Sequence, residues 1–138
     1  ATAEDVSADV DMLPRLKALL PKGQTAFNKM VFSLYGQKDI RYALEALKRR
    51  DLVLVGQETD VCVAQSAIDL VNAGYRVWVA DDATASPGRH HEAGLHRMRS
   101  VGVIVSGIKG IYYEWLRDVP TAIAVEAAVA EAPSDLVL

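Results

Sequence analysis

Residues 51–73 read DLVLVGQETDVCVAQSAIDLVNA, and the way this stretch is parsed decides the fold. Leu52, Val53, Leu54 and Val55 form an apolar run without polar alternation that stops at Gly56. So short an uninterrupted run is the pattern of a strand covered on both faces, as in a parallel sheet with helices on either side. Gln57, Glu58 and Thr59 lead to Asp60, a good N-cap, and the helix that follows is apolar almost all round, from Val61 and Val63 to Leu70 and Val71. It is expected to reach about Ala73 and to end at Gly74, the usual residue just beyond a helix C-terminus. Cys62, the only cysteine of the chain, falls in its first turn. Backbone N–H groups and the dipole at a helix start favour a thiolate and can hold an oxyanion, whereas a small buried apolar residue is the plainer reading of a lone cysteine.

Working outward, Tyr75 to Ala80 reads as the next strand and Asp81 to Gly88 as a loop at its C-terminal end. A helix from about Arg89 to Ser100 and an apolar run from Val101 to Val105 repeat the unit. Ser106 is expected to cap a helix with Ile108, Ile111, Tyr112, Trp115 and Leu116 on one face. Upstream, Asp39 is expected to cap a helix whose face is Ile40, Ala43, Leu44 and Leu47. Met30 to Gly36 is an apolar, aromatic stretch expected in the core or packed on it, and Gln24 to Asn28 an extended segment before Lys29. Leu13, Leu16 and Leu20 predict a helix capped by Asp11, with Pro14 in its first turn and Pro21 and Gly23 stopping it. Residues 1–10 read as a polar arm, and Thr121 to Ala132, within a 121–138 tail, as a weaker helix suited to contact another subunit. Strands and helices alternating at this spacing imply right-handed βαβ units and a mostly parallel sheet in a single domain over 1–138.

Composition narrows the function classes. The 138 residues carry a net charge of −3 with 51% hydrophobic side chains, an ordinary globular balance. Basic residues are scattered, and Lys48-Arg49-Arg50 suits a helix C-terminus, so no nucleic-acid surface is expected. No apolar run approaches a membrane span, and no signal pattern opens the chain. One cysteine excludes an internal disulfide framework and points to a reducing, cytoplasmic setting. His90, His91 and His96 lack a recognised ligand spacing, so they read as solvated residues of a helix start, with no metal and no cofactor expected. Nor is there a Gly-x-Ser-x-Gly elbow to make Ser86 a nucleophile.

In open parallel sheets the crevice lies at the C-terminal strand ends, which selects the segments Lys29 to Tyr35, Gly56 to Cys62 and Asp81 to Gly88. Gly56 to Val63 with Gln65, Ser66, Asp69 and Gly74, then Asp82-Ala83 and Ser86, resembles the isochorismatase-like cysteine hydrolases, the superfamily that includes nicotinamidase. Lys29 followed by Phe32-Ser33-Leu34-Tyr35 is similar to that family's lysine motif, and Gly102 and the helix around Tyr112 to Leu116 match its last strand and helix. The resemblance covers roughly residues 24–116. It implies a three-layer α/β/α, Rossmann-like fold and a Cys-Lys-Asp constellation in which Cys62 is the nucleophile and Lys29 stabilises its thiolate. It also implies a cis peptide between Gln57 and Glu58 that sets the Glu58 and Cys62 N–H groups as an oxyanion hole, with Phe32, Tyr35 and Thr59 as substrate-pocket candidates. A cysteine at this position leans toward amide-like C–N bonds, cleaved through a thioester that water releases.

The family's aspartate lies in an apolar-Asp-x-Gln motif that this sequence lacks, and it is not carried over to Asp5, Asp9 or Asp11. Asp81 and Asp82 lie on the correct rim, but the resemblance gives that position a loop-holding role. The chain is thus expected to begin where the family's opening strand-helix-strand has ended. Three explanations stay open: part of a longer enzyme, a natural truncation without catalysis, or an assembly in which another chain supplies the layer. The expected partners are a small-molecule substrate and further copies of the chain. The different-class alternative is a non-catalytic binding or assembly module.

Overall fold

The structure, a computed structural model, describes residues 2–5, 14–20, 23 and 26–129. In chain order the elements are β1 (Thr2–Asp5), α1 (Pro14–Ala18), β2 (Ala26–Lys29), a 3-10 turn (Leu34–Gly36), α2 (Lys38–Ala46), β3 (Asp51–Gln57), a π-helical turn (Thr59–Val63), α3 (Ala64–Asn72), β4 (Arg76–Ala85), α4 (His90–Arg99), β5 (Ile104–Ser106), α5 (Ile108–Leu116) and α6 (Val119–Val129). The strands pair in two groups, β1 with β2 and the order β3-β4-β5, and every pairing is parallel. Helices lie on both sides of this α/β arrangement, giving the layered fold that the alternation implied.

The core follows from period-two alternation along β4. Val77 and Val79 are buried against Leu70 of α3 and Leu95 and Met98 of α4. Ile111 and Leu116 of α5 are buried outside that cluster, and α5 packs on β4 as well. Ile40 and Leu44 of α2 complete the main cluster, while Leu47 at the helix end is exposed. α3 closes as expected at Gly74, where Tyr75 N–H donates to Leu70 O at 3.0 Å and Gly74 N–H to Val71 O at 2.9 Å. These two bonds satisfy carbonyls that the last turn would leave bare.

Several expectations are corrected. Residues 2–5 form a strand rather than an arm, because backbone pairing with β2, in the register Thr2 with Ala26 to Asp5 with Lys29, needs no apolar pattern. The leucine helix is only five residues long and buries none of them, and Leu16 is exposed. Leu13 and Asp11 lie outside the described residues. Within the aromatic stretch Met30, Val31 and Phe32 are exposed, and only Leu34 and Tyr35 pack on the core. β3 is half-buried at best, with Val55 exposed, since no strand among the described residues pairs with its second edge.

Helix starts also differ from expectation. Gln37 rather than Asp39 stands at the N-cap of α2, with Asp39 in the first turn where its charge complements the dipole. Gly107 rather than Ser106 stands at the N-cap of α5, and the carboxylate that accepts from its first N–H comes from β4: Ile108 N–H donates to Asp82 Oδ1 at 2.8 Å. Most of the expected Asp81 to Gly88 loop is strand, because β4 continues to Ala85 and pairs Gly56 with Thr84 and Gln57 with Ala85 after a bulge. Gly56 sits at that bulge with φ +121°, backbone that a side chain rarely adopts.

Candidate active site

The site begins where β3 ends. The peptide bond between Gln57 and Glu58 is cis, and Glu58 is extended at φ −92° and ψ 147°. Its carbonyl accepts from two N–H groups, Val61 at 3.2 Å and Val63 at 3.1 Å. The second of these spans five residues and makes the segment a π-helical turn, a rare form that is frequent at functional sites. Asp60, expected as a helix cap, therefore lies inside the turn, and its side chain is occupied elsewhere.

Cys62 is half-buried within this turn. Lys29, at the end of β2, is 5% exposed, and its ammonium donates to Cys62 Sγ at 3.6 Å and to Val31 O at 3.3 Å. The sulfur of Cys62 thus has a buried ammonium as its hydrogen-bond donor, brought from a strand 33 residues earlier. Leu34 N–H donates to Ser66 Oγ at 2.9 Å, tying the segment after Lys29 to α3 beyond the cysteine turn. Asp5 stands at the register position beside Lys29, whereas Asp9 and Asp11 lie outside the described residues.

The three substrate-pocket candidates are not alike. Phe32 is exposed. Tyr35 stacks edge-on to Tyr75 with centroids 6.0 Å apart, under the Arg41 guanidinium, and its hydroxyl bonds Glu45 Oε1 at 3.4 Å. Burial first, then the Glu45 carboxylate, pushes its phenol above the ordinary value. Thr59 is fully buried, and its hydroxyl lies 2.9 Å from His91 Nδ1, which directs it into the fold.

That contact belongs to a set that the sequence reading missed. Ser86 O–H donates to Asp60 Oδ1 at 2.6 Å, and Asp60 N–H reaches back to Ser86 Oγ at 3.4 Å. The Ser86 bond is the main reason that the Asp60 carboxyl sits below its usual range; the backbone and His90, whose Nδ1 is 3.6 Å from Asp60 Oδ2, push the same way. His91 is thus half-buried and engaged rather than solvated, while His96 is exposed. The available sequence signal was Gly94, four residues beyond His90, a glycine inside a helix with no turn to explain it. Among the described residues no cluster of three or more His, Cys, Asp or Glu is placed to hold a metal ion.

A hollow of about 120 Å³ between α2 and β3 is lined by Ile40, Leu44 and Leu52 to Leu54, among others. It has neither Cys62 nor Lys29 in its wall, and its apolar lining offers nothing to orient a carbonyl, so it is a packing gap rather than the reaction site.

Parallel strands with helices on both sides, whose C-terminal ends bring a buried lysine to a cysteine in a turn, define an α/β protein with a Lys29–Cys62 site. The chain belongs to the isochorismatase family: the Isochorismatase domain model matches residues 4–109. It is 36% identical over 93 residues to isochorismatase family protein 2A of Dictyostelium discoideum, covering 66% of this chain and 46% of that one. Among solved structures it resembles an isochorismatase-like hydrolase from Alkaliphilus metalliredigens, with TM-score 0.68 and 28% identity over 76% of this chain and 57% of that one. It also resembles the MAR1 ribonuclease of Caenorhabditis elegans, with TM-score 0.80 and 25% identity over 99% of this chain and 72% of that one. The chain spans about half the length of the curated relatives it matches.

Proposed function

We propose that this chain carries the nucleophile of a cysteine hydrolase acting on a small amide-like substrate. Cys62 Sγ attacks the carbonyl carbon, and the developing oxyanion is held by the Glu58 and Cys62 N–H groups. The C–N bond then breaks, the leaving nitrogen takes through solvent the proton that the thiol gave up, and a thioester remains. Water adds to the thioester, the C–S bond breaks, and the acid leaves with the thiol restored. The observation that carries this reading is the contact of 3.6 Å between the buried Lys29 ammonium and Cys62 Sγ.

The nematode neighbour is a ribonuclease. The present residues favour a small molecule over RNA, because a net charge of −3 with scattered basic side chains offers no track for a phosphate backbone. The competing reading is a non-catalytic binding or assembly module, in which Cys62 would be an ordinary thiol.

Alkylation of Cys62 by iodoacetamide at neutral pH, followed by intact mass, separates the two. Lys29→Met keeps the aliphatic stem and removes the charge, and it is expected to slow alkylation about tenfold. An unchanged rate supports the module. In parallel, a panel of small primary amides should release ammonia with the wild-type chain and none with Cys62→Ala.

A further inference from the structure

We propose that His91 is a positioning residue for the Cys62 turn, acting through the buried hydroxyl of Thr59, with the first turns of α4 serving as a clamp on the nucleophile. The inference rests on the reading of Cys62 as an activated nucleophile and adds what holds it there.

The clamp has three points, all from α4 and all falling on two successive residues of the turn. His91 Nδ1 meets Thr59 Oγ1 at 2.9 Å, and Thr59 is fully buried, so its hydroxyl has no water to fall back on. His90 Nδ1 lies 3.6 Å from Asp60 Oδ2. Gly94 lies one helical turn beyond the histidines, and a Cβ there would stand 2.8 Å from Asp60 Cα and 2.9 Å from Asp60 N. Only a glycine lets the helix backbone come that near to the turn. Ser86, in the connection leading into α4, adds a fourth tie through its bond of 2.6 Å to Asp60 Oδ1.

Three of these contacts are polar and one is a close backbone approach, and all are separate from Leu95 and Met98, through which α4 joins the apolar core. Their effect falls on the orientation of a five-residue turn. Thr59 opens that turn and Cys62 is three residues on, so a rotation at Thr59 moves Sγ relative to Lys29 Nζ, which comes from another strand and does not follow. The side chain of His91 therefore governs a distance between two groups that it does not touch.

The test uses the alkylation rate of Cys62 in the full chain, with circular dichroism and thermal unfolding as controls for folding. His91→Ala and Thr59→Val each remove the same hydrogen bond, and each is expected to slow alkylation about tenfold, the scale at which small misplacements of reacting groups are felt. The double variant should be no slower than the slower single one. His91→Asn, whose amide reaches near the position of Nδ1, should restore most of the rate and remains informative if His91→Ala folds poorly. In a Lys29→Met background the effect of His91→Asn or His91→Ala should vanish, because the clamp works through the contact that Lys29 makes; a merely structural role would persist there. Wild-type rates in His91→Ala, or an undiminished loss in the Lys29→Met background, overturn the clamp alone. A wild-type rate in Lys29→Met overturns the nucleophile reading and the clamp with it.

Discussion

Asp60 shows how much of the site is decided by single side chains. Its carboxylate accepts the Ser86 hydroxyl at 2.6 Å, and that bond is the first cause of its depressed proton affinity. A carboxyl whose affinity is lower folded than unfolded adds stability that is complete above the ordinary carboxylate range and is lost as pH falls through the folded value. The stabilisation from this pair is therefore present from neutral pH down to the usual Asp range and disappears at more acid pH. Ser86→Ala should lower the urea midpoint at pH 7, and the gap to wild type should narrow toward pH 3; an equal gap at both would detach Ser86 from the Asp60 charge. At this scale the sequence was legible in part. Lys29 and Cys62 stand out through the order of their motifs, but their approach to 3.6 Å spans 33 residues, and no local pattern encodes it. Thr59 belongs to a motif that makes it a pocket candidate, but nothing local ties it to His91, 32 residues away, which could be read only as a polar residue of a helix start.

Elements were more legible than residues, and the misses have a common cause. Helices α2, α3, α4 and α5 all fall where apolar spacing places them, since burial of one face is a local sequence property. Strand ends and caps are settled by partners from elsewhere in the chain. β1 exists through its pairing with β2, and β4 extends through the bulge because β3 turns beside it at Gly56. The start of α5 is the clearest case: Ser106 looked like the cap, yet the carboxylate comes from Asp82 on the neighbouring strand, 26 residues earlier. Gly107 makes room for it, since a Cβ there would lie 3.0 Å from Asp82 Oδ2. Asp82→Ala leaves the Ile108 N–H without this acceptor and is expected to cost about 1 kcal/mol, the usual worth of a lost cap. Asp82→Asn keeps an oxygen acceptor and should recover about half or more of that cost. Chemical denaturation of the two variants checks the ranking, and equal stability of wild type and Asp82→Ala would remove the carboxylate from the account of α5.

For the molecule as a whole, the sequence conveyed the parallel α/β architecture but not which apolar surface stays uncovered, because exposure is a property of assembled elements. α5 and α6 show the difference. The face expected for α5 included Trp115, which is 65% exposed, while Ile111 and Leu116 take up the available contact with the sheet. Tyr113 on α5 and Val119 and Ile123 on α6 are exposed as well, and the two helices pack on each other. Exposed large apolar side chains gathered on two helices that pack on each other are groups that a partner can cover. A second copy of the chain presents the same apolar groups, so a symmetric contact through α5 and α6 would bury them on both copies at once. We therefore expect the chain to associate with itself in solution, and Trp115→Glu, which replaces the most exposed large apolar side chain of α5 with a charge, to shift the equilibrium toward monomer. Sedimentation velocity over a wide dilution series reads this directly, and Trp115 fluorescence should move to the red on dilution as its indole enters water. Trp115 is largely exposed, so the alkylation rate should stay at the wild-type value while the assembly weakens. A chain that sediments as a monomer at every concentration, or a Trp115→Glu variant that associates as the wild type does, would place the self-contact elsewhere or remove it.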